Sequence, residues 1–385
     1  MNKSIIKVFI IIIAVLMFVI PGCKIEPSDN NSDNEIIQTE GNFSYKGSKQ
    51  ITIVAYHGSE DETDVIIPEK INGKPVTAIG ANVFYYMSLT SVSIPAGITN
   101  IGENAFAKNY LTEIIIPQSV KIINDHAFVN NKLESIVIPD SVTFLGNGVF
   151  SINKLTDISI SKNISSIGDR LFSYNQLTEI TIPGNITSIG DNAFYENRLV
   201  DVSIPDSVTH IGESAFACNY VLSNVTIPDS VISIGNYAFS HNSLESIILP
   251  DSIIYIGESA FTMNQLSSIV FPGKVTAIND YTLMSNQLSS VTFPESITAI
   301  GDYAFYGNQL VSIVIPSSVT SIGKSAFFRN LLTSVTIGSN VTLETGNYPS
   351  FGYGFENAYN SIYEQTAGTY TRPRPAPSST DWTKE

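Results

Sequence analysis

Residues 310–331 read LVSIVIPSSVTSIGKSAFFRNL, and this phrase returns with substitutions every 22 residues along most of the chain. Leucines stand at 89, 111, 133, 155, 177, 199, 222, 244, 266, 288, 310 and 332, evenly spaced except for one interval of 23, where the extra residue falls in Asn219-Tyr220-Val221. Three and nine positions after each Leu, all twelve units carry Val or Ile; six positions after it, ten of twelve carry Pro. Phe stands five positions before most of the leucines (Phe84, Phe106, Phe128, Phe150, Phe172, Phe194, Phe239, Phe261, Phe305, Phe327). Two β-branched stretches per unit predict two short strands rather than a helix. The first, xVxI, alternates in and out. The second, VTxIG, ends on a Gly that tolerates unusual backbone angles, and the Pro between them turns the chain and removes an amide donor. The following xxAFxxN reads as a brief helical turn with Ala-Phe tucked against the core. No unit of this length buries its own apolar face, so the units must stack into a β-rich repeat solenoid with one continuous core. At about 4.8 Å per coil, twelve coils make a stack roughly 55–60 Å long.

The pattern LxxLxLPxxLxxIGxxAFxxN, matched almost position by position across residues 76–341, resembles the BspA-like leucine-rich repeats of bacterial, and notably spirochaetal, surface proteins. The resemblance implies a leucine-rich-repeat solenoid, a right-handed superhelix with a parallel sheet along one face. Ser161 and Gly338 depart from it in place of Pro, and Leu283 in place of Phe. Residues 42–88 look like an N-terminal cap and first enlarged coil, and the repeats proper run over 89–341. Beyond Val341 the period fails, and 342–385 reads as a C-terminal cap in which AGTYTR and TDWTKE pair as strands; a floppy tail at RPRPAPSST is the alternative.

Residues 1–22 are MNKSIIKVFIIIIAVLMFVIPG. Lys3 and Lys7 precede an apolar run of about 13 residues, too short for the roughly 20 of a membrane-spanning helix and right for a secretory signal. Ile20-Pro21-Gly22-Cys23 resembles a bacterial lipobox, with Pro21 its unusual member; the resemblance implies cleavage before Cys23 and acylation of that residue, and the plainer reading is an ordinary signal peptide with an incidental Cys. Multiple acyl chains exceed what stable anchoring needs. Residues 23–41, rich in Ser, Asp, Asn and Glu, read as a flexible tether.

With 43% apolar and 14% charged residues the 385-residue chain has the apolar mass for a large core. Its net charge is −15, more negative still without Lys3 and Lys7, which excludes nucleic acid as a natural partner and leaves the N-terminal lipid alone to hold the domain to a membrane. Two cysteines, Cys23 and Cys218, give neither a disulfide framework nor a zinc spacing, and the four histidines converge on nothing. No cofactor is expected. Asn two residues before each Leu reads as a ladder satisfying loop backbone groups, the Asp after Pro (Asp140, Asp206, Asp229, Asp251) as a turn residue capping its own backbone, and Cys218 as an inert thiol.

Functional candidates lie where units deviate. The outward position two after each Leu carries Glu113, Asp157, Glu179 and Asp201, an anionic stripe whose like charges repel and which suits a basic protein partner or a weakly held divalent cation; ordinary solubilising charge is the plain alternative. A second strip holds Tyr174, Tyr195, Tyr220, Tyr306 and Phe328, which either anchor a protein contact or pack on the neighbouring turn. The resemblance implies adhesion, to host matrix proteins such as fibronectin and fibrinogen or to other bacteria, by a non-catalytic lipoprotein of the outer-membrane surface. A structural envelope component that self-associates or faces the periplasm is the second reading. An enzyme lacks any gathered acid, base or nucleophile.

Overall fold

The computed structural model describes residues 36–59, 61–344, 348–362, 364–373 and 381–385. The signal peptide, the Cys23 acylation site and most of the tether and of RPRPAPSST lie outside the described residues.

The chain winds into a β-solenoid in which most coils contribute two short strands; the coils at residues 113–115, 179–181 and 246–248 run through the first position without forming a strand. In the first, side chains alternate: Ser135–Val137 is exposed–buried–exposed, with Ile136 inward. It pairs in parallel with Asp157–Ser159 of the next coil, Ser135 opposite Asp157 and Ile136 opposite Ile158. The second strands stack likewise, Ser166–Ile167, Ser188–Ile189, His210–Ile211, Ser233–Ile234 and Tyr255–Ile256 following one another in register. Because the repeat length equals the offset between paired residues, each position faces its own equivalent, and every chemical preference becomes a column.

The xxAFxxN segment is not a helical turn, as the spacing suggested, but two consecutive β-turns. Ala105 and Ala107 donate to the carbonyls of Gly102 and Asn104 in the same coil, while Asn104, Phe106 and Lys108 donate to Asp125, Ala127 and Val129 of the next. Asn104 and Lys108 adopt φ of 52° and 56°. Alternate amides thus point along the stack, and a helix would have kept those amides to itself. The Gly of VTxIG also has a different reason from the expected one. Gly102 has an ordinary φ, but a Cβ on it would stand 2.5 Å from the Gly80 carbonyl carbon; the coils touch backbone to backbone there, and only a missing side chain allows it.

The core is one continuous cluster from Tyr45 to Trp382. Its spine is a column of parallel phenylalanines, Phe84 to Phe261, with successive ring centroids 5.2 to 6.0 Å apart. Phe216, hidden from the spacing by the inserted residue, belongs to it. Leu283 interrupts the column, and the volume is made up from the side: Phe271 and Phe293, where other coils carry Ile or Leu, put their rings edge-on to Phe305 at 6.3 and 5.5 Å.

At the N-terminal end a meander, β1 (Gln38–Glu40), β2 (Phe43–Lys46) and β3 (Ile51–Tyr56), covers the first coil, β3 running parallel to Lys74–Ile79. β1 lies inside the stretch expected to be tether, so its last residues are part of the cap. At the other end Phe351 stacks on Phe327 at 4.9 Å and continues the spine, a single turn of helix follows at Phe355–Asn357, and Gly368–Thr371 pairs antiparallel with both Ser334–Ile337 and Thr383–Lys384.

Candidate functional site

Each buried Asn holds two coils together. Asn131 accepts from Leu111 N at 3.1 Å and donates to the carbonyls of Phe106 and Phe128 at 2.9 and 3.1 Å. Each Phe carbonyl inside the stack, such as that of Phe106, therefore receives two amides, one from its own coil and one from the next. Asn219, which the inserted residue shifts out of step, does the same with Leu199 N, Phe194 O and Phe216 O. A further ladder escaped the sequence: at the position after the Gly, Asp125, Asn147, Asp169 and Asp191 each accept the backbone N–H one coil ahead at 2.8 to 3.0 Å. The run of Asp and Asn at one repeat position was its signal. Asp140 likewise accepts from Lys162 N of the next coil rather than from its own turn.

With these residues committed to structure, two faces remain. On the strand face, at the position two after each Leu, Glu113, Asp157, Glu179 and Asp201 are all exposed, Asp157 and Asp201 at the outward ends of strands as alternation requires. Asp64, in the cap strand that pairs with Ser91–Ser93, extends the row and accepts from Ser91 Oγ at 2.7 Å; the absence of the Leu period in the cap concealed it. Asp201 accepts from Asn224 Nδ2 at 3.1 Å. The stripe is single file, at most one acid per coil, with Ser91 and Ser135 interrupting it. Among the described residues no group of three or more His, Cys, Asp or Glu gathers as metal ligands. Beside the stripe, two residues farther along each coil, Ile115, Val137, Ile248, Val270 and Val314 are bared to solvent, Ile115 at 83%.

The aromatic strip on the turn side divides. Tyr174 and Tyr220 are exposed, while Tyr195 and Tyr306 are half-buried; Tyr174 meets Tyr195 edge-on at 5.3 Å. Phe328 is not a contact residue: it is 8% exposed, stacked by Tyr348 at 4.8 Å and flanked by Tyr353 at 5.5 Å, both from the C-terminal cap. Cys218 is free and buried. Hydrogen bonding to its thiol pushes the Tyr220 hydroxyl up to about 12, and burial first, the thiol second, raises Tyr195 further.

The model of the BspA type leucine rich repeat region matches six copies over residues 77–200, 187–308 and 276–348. The chain belongs to the BspA type leucine-rich repeat family. A solved leucine-rich repeat protein from Bacteroides ovatus is similar at 21% identity, with a TM-score of 0.57 over 81% of this chain and 92% of that one. A leucine rich cell surface protein from Faecalibacterium prausnitzii is 27% identical over 82% of this chain and 100% of its own, with a TM-score of 0.49. The pneumococcal vaccine antigen PcpA is 19% identical over 75% and 93%, with a TM-score of 0.44. No curated protein matches. BspA-type repeat proteins are bacterial surface proteins, and their solenoid is typically a non-enzymatic scaffold for binding other proteins. Among the described residues no helix is long and apolar enough to cross a membrane.

Proposed function

We propose that this BspA-type protein is a non-catalytic lipoprotein, anchored through Cys23 at the outer-membrane surface, that binds proteins through its strand face and serves as an adhesin for host matrix proteins or other bacteria. The observation that carries the reading is the row of exposed carboxylates at one repeat position beside bared Ile115 and Val137. A charged row next to an apolar one is the composition of a protein-binding patch, and its repetition along a tethered rod suits large-area or multivalent contact. The acids select a partner with a basic stripe.

Protease accessibility on intact cells, with a periplasmic protein as leakage control, tests the placement. Digestion of the repeats on intact cells agrees with the adhesin, and fibronectin binding lost on replacing Asp157, Glu179 and Asp201 by Ser then locates the contact. Protection until the outer membrane is breached removes the adhesin. Cys23→Ala should release the protein from membranes; continued membrane fractionation refutes the lipid anchor.

One observation favours the envelope-scaffold reading. All three residues of β1 are exposed, and Ile36 and Ile37 before it are exposed too, an edge open to pairing with a second copy. Sedimentation velocity at micromolar concentration decides: a monomer eliminates it.

A further inference from the structure

On the turn side, off the strand face, one of the columns breaks at Gly148 and leaves a hollow of about 320 Å³. Gly148, at φ 60°, stands where the neighbouring coils carry His126 and Arg170. A Cβ on Gly148 would lie 2.8 Å from His126 Cδ2 and 3.0 Å from Nε2, so the imidazole lies across the glycine and walls one end. The adjoining column dips to Ser151 and Ser173, whose hydroxyls meet at 2.7 Å and form the floor. Tyr174 and Tyr195, edge to face, close the other end.

The hollow is cationic on an acidic molecule. Its lining holds Arg170 and no carboxylate, and the Arg170 guanidinium makes no ion pair or side-chain hydrogen bond among the described residues. Of the nearby acids, Asp125, Asp169 and Asp191 each engage Oδ1 with a backbone N–H one coil ahead, and Glu196 stands close enough to act on Tyr195 but outside the lining. On the floor, Ser173 Oγ donates to Arg170 O at 3.1 Å, which leaves Ser151 Oγ to donate to Ser173 Oγ. Both hydroxyl protons are committed, and the floor offers lone pairs to a donor from outside.

We propose that this hollow binds a carboxylate-bearing sugar ring. A free guanidinium takes a carboxylate bidentately, the tyrosine pair gives a C–H-bearing ring an aromatic face to lie on, the serine oxygens accept from ring hydroxyls, and the volume sits at the small end of ligand pockets, where one ring fits. An acidic peptide side chain would use the cation and leave the aromatic wall and accepting floor unmatched. The site is separate from the strand face and stands whether or not that face binds protein.

Isothermal titration and saturation-transfer NMR on the purified full chain test it, with glucuronic acid, glucose and N-acetylglutamate as probes. Glucuronate is expected to bind with a dissociation constant on the order of millimolar, with glucose and N-acetylglutamate at least about tenfold weaker. Arg170→Ala and Tyr174→Ala, both at exposed positions, should each weaken glucuronate at least about tenfold, roughly 1.4 kcal/mol, without moving the thermal midpoint. Equal binding of glucose and glucuronate, binding indifferent to Arg170→Ala, N-acetylglutamate held as tightly as glucuronate, or no transfer to glucuronate at 20 mM would each overturn the assignment.

Discussion

At the scale of single residues the solenoid distinguishes side chains that look alike on paper. Asn175 accepts from Leu155 N at 3.0 Å and donates to the carbonyls of Phe150 and Phe172, both at 3.0 Å. Those carbonyls also receive Asn153 and Asn197, so Asn175→Ala strips only Leu155 N–H of its partner. One buried donor left unmade costs about 1–3 kcal/mol, and the lost packing adds to it. The expected loss is about 2–3 kcal/mol, read from denaturant unfolding. The acids of the strand face behave oppositely. Replacing Asp157, Glu179 and Asp201 together by Ser removes like charges in file and touches no buried group, so the thermal midpoint should stay or rise slightly. A large fall would mean that these side chains do not point to solvent.

Elements show how a coil tolerates departure from its own consensus. Leu283 is small where the spine wants Phe, and Phe271 and Phe293 are large where other coils have Ile or Leu; the sum of volumes is kept and the packing stays dense. Leu283→Phe alone should therefore destabilise by overpacking, about 1–3 kcal/mol. Combined with Phe271→Ile or Phe293→Ile it should recover part of that loss, a coupling that a double-mutant cycle measures. The C-terminal cap holds a different tension. Burial raises the Glu356 carboxyl above its ordinary 4.5, and the N–H groups of Ser350 and Phe351 offset this in part. The folded chain thus holds that proton more tightly than the unfolded one, and the contribution is complete below pH 4.5 and lost as pH rises through the raised value. Glu356→Gln cannot ionise. Its thermal midpoint should exceed that of the parent at pH 7, and the difference should vanish below pH 4.5.

For the whole molecule, stability is nearest-neighbour stacking closed by two lids. The last spine ring, Phe327, is covered by Phe351, and behind it Phe355, Tyr359, Tyr370 and Trp382 are buried together. Deleting residues 342–385 should uncover the end of the core, giving concentration-dependent association in light scattering. Hydrogen exchange should then lose protection first in the last coils and spare those near Phe106. Uniform loss across the repeats would mean that the stack unfolds as one unit.

The period of 22, with β-branched pairs, Pro and Asn at fixed places, determined by itself that the chain stacks, that a coil has two extended stretches and which side chains form the spine apart from Phe216 and Phe351. Such a repeat leaves each apolar residue a single partner, its own equivalent one coil away. Where information is not periodic, the sequence ran out. Whether xxAFxxN is helix or paired β-turns depends on amides that bond to the next coil, not to their own. Whether the VTxIG glycine serves an angle or a close approach depends on backbone from another coil. Phe328 reads as one more surface aromatic until the cap, folding back from beyond the repeats, covers it. The hollow at Gly148 exists only because four coils bring His126, Arg170, Tyr174 and Tyr195 around a missing side chain. Contacts of that kind are made across the stack, and only the tertiary structure decides them.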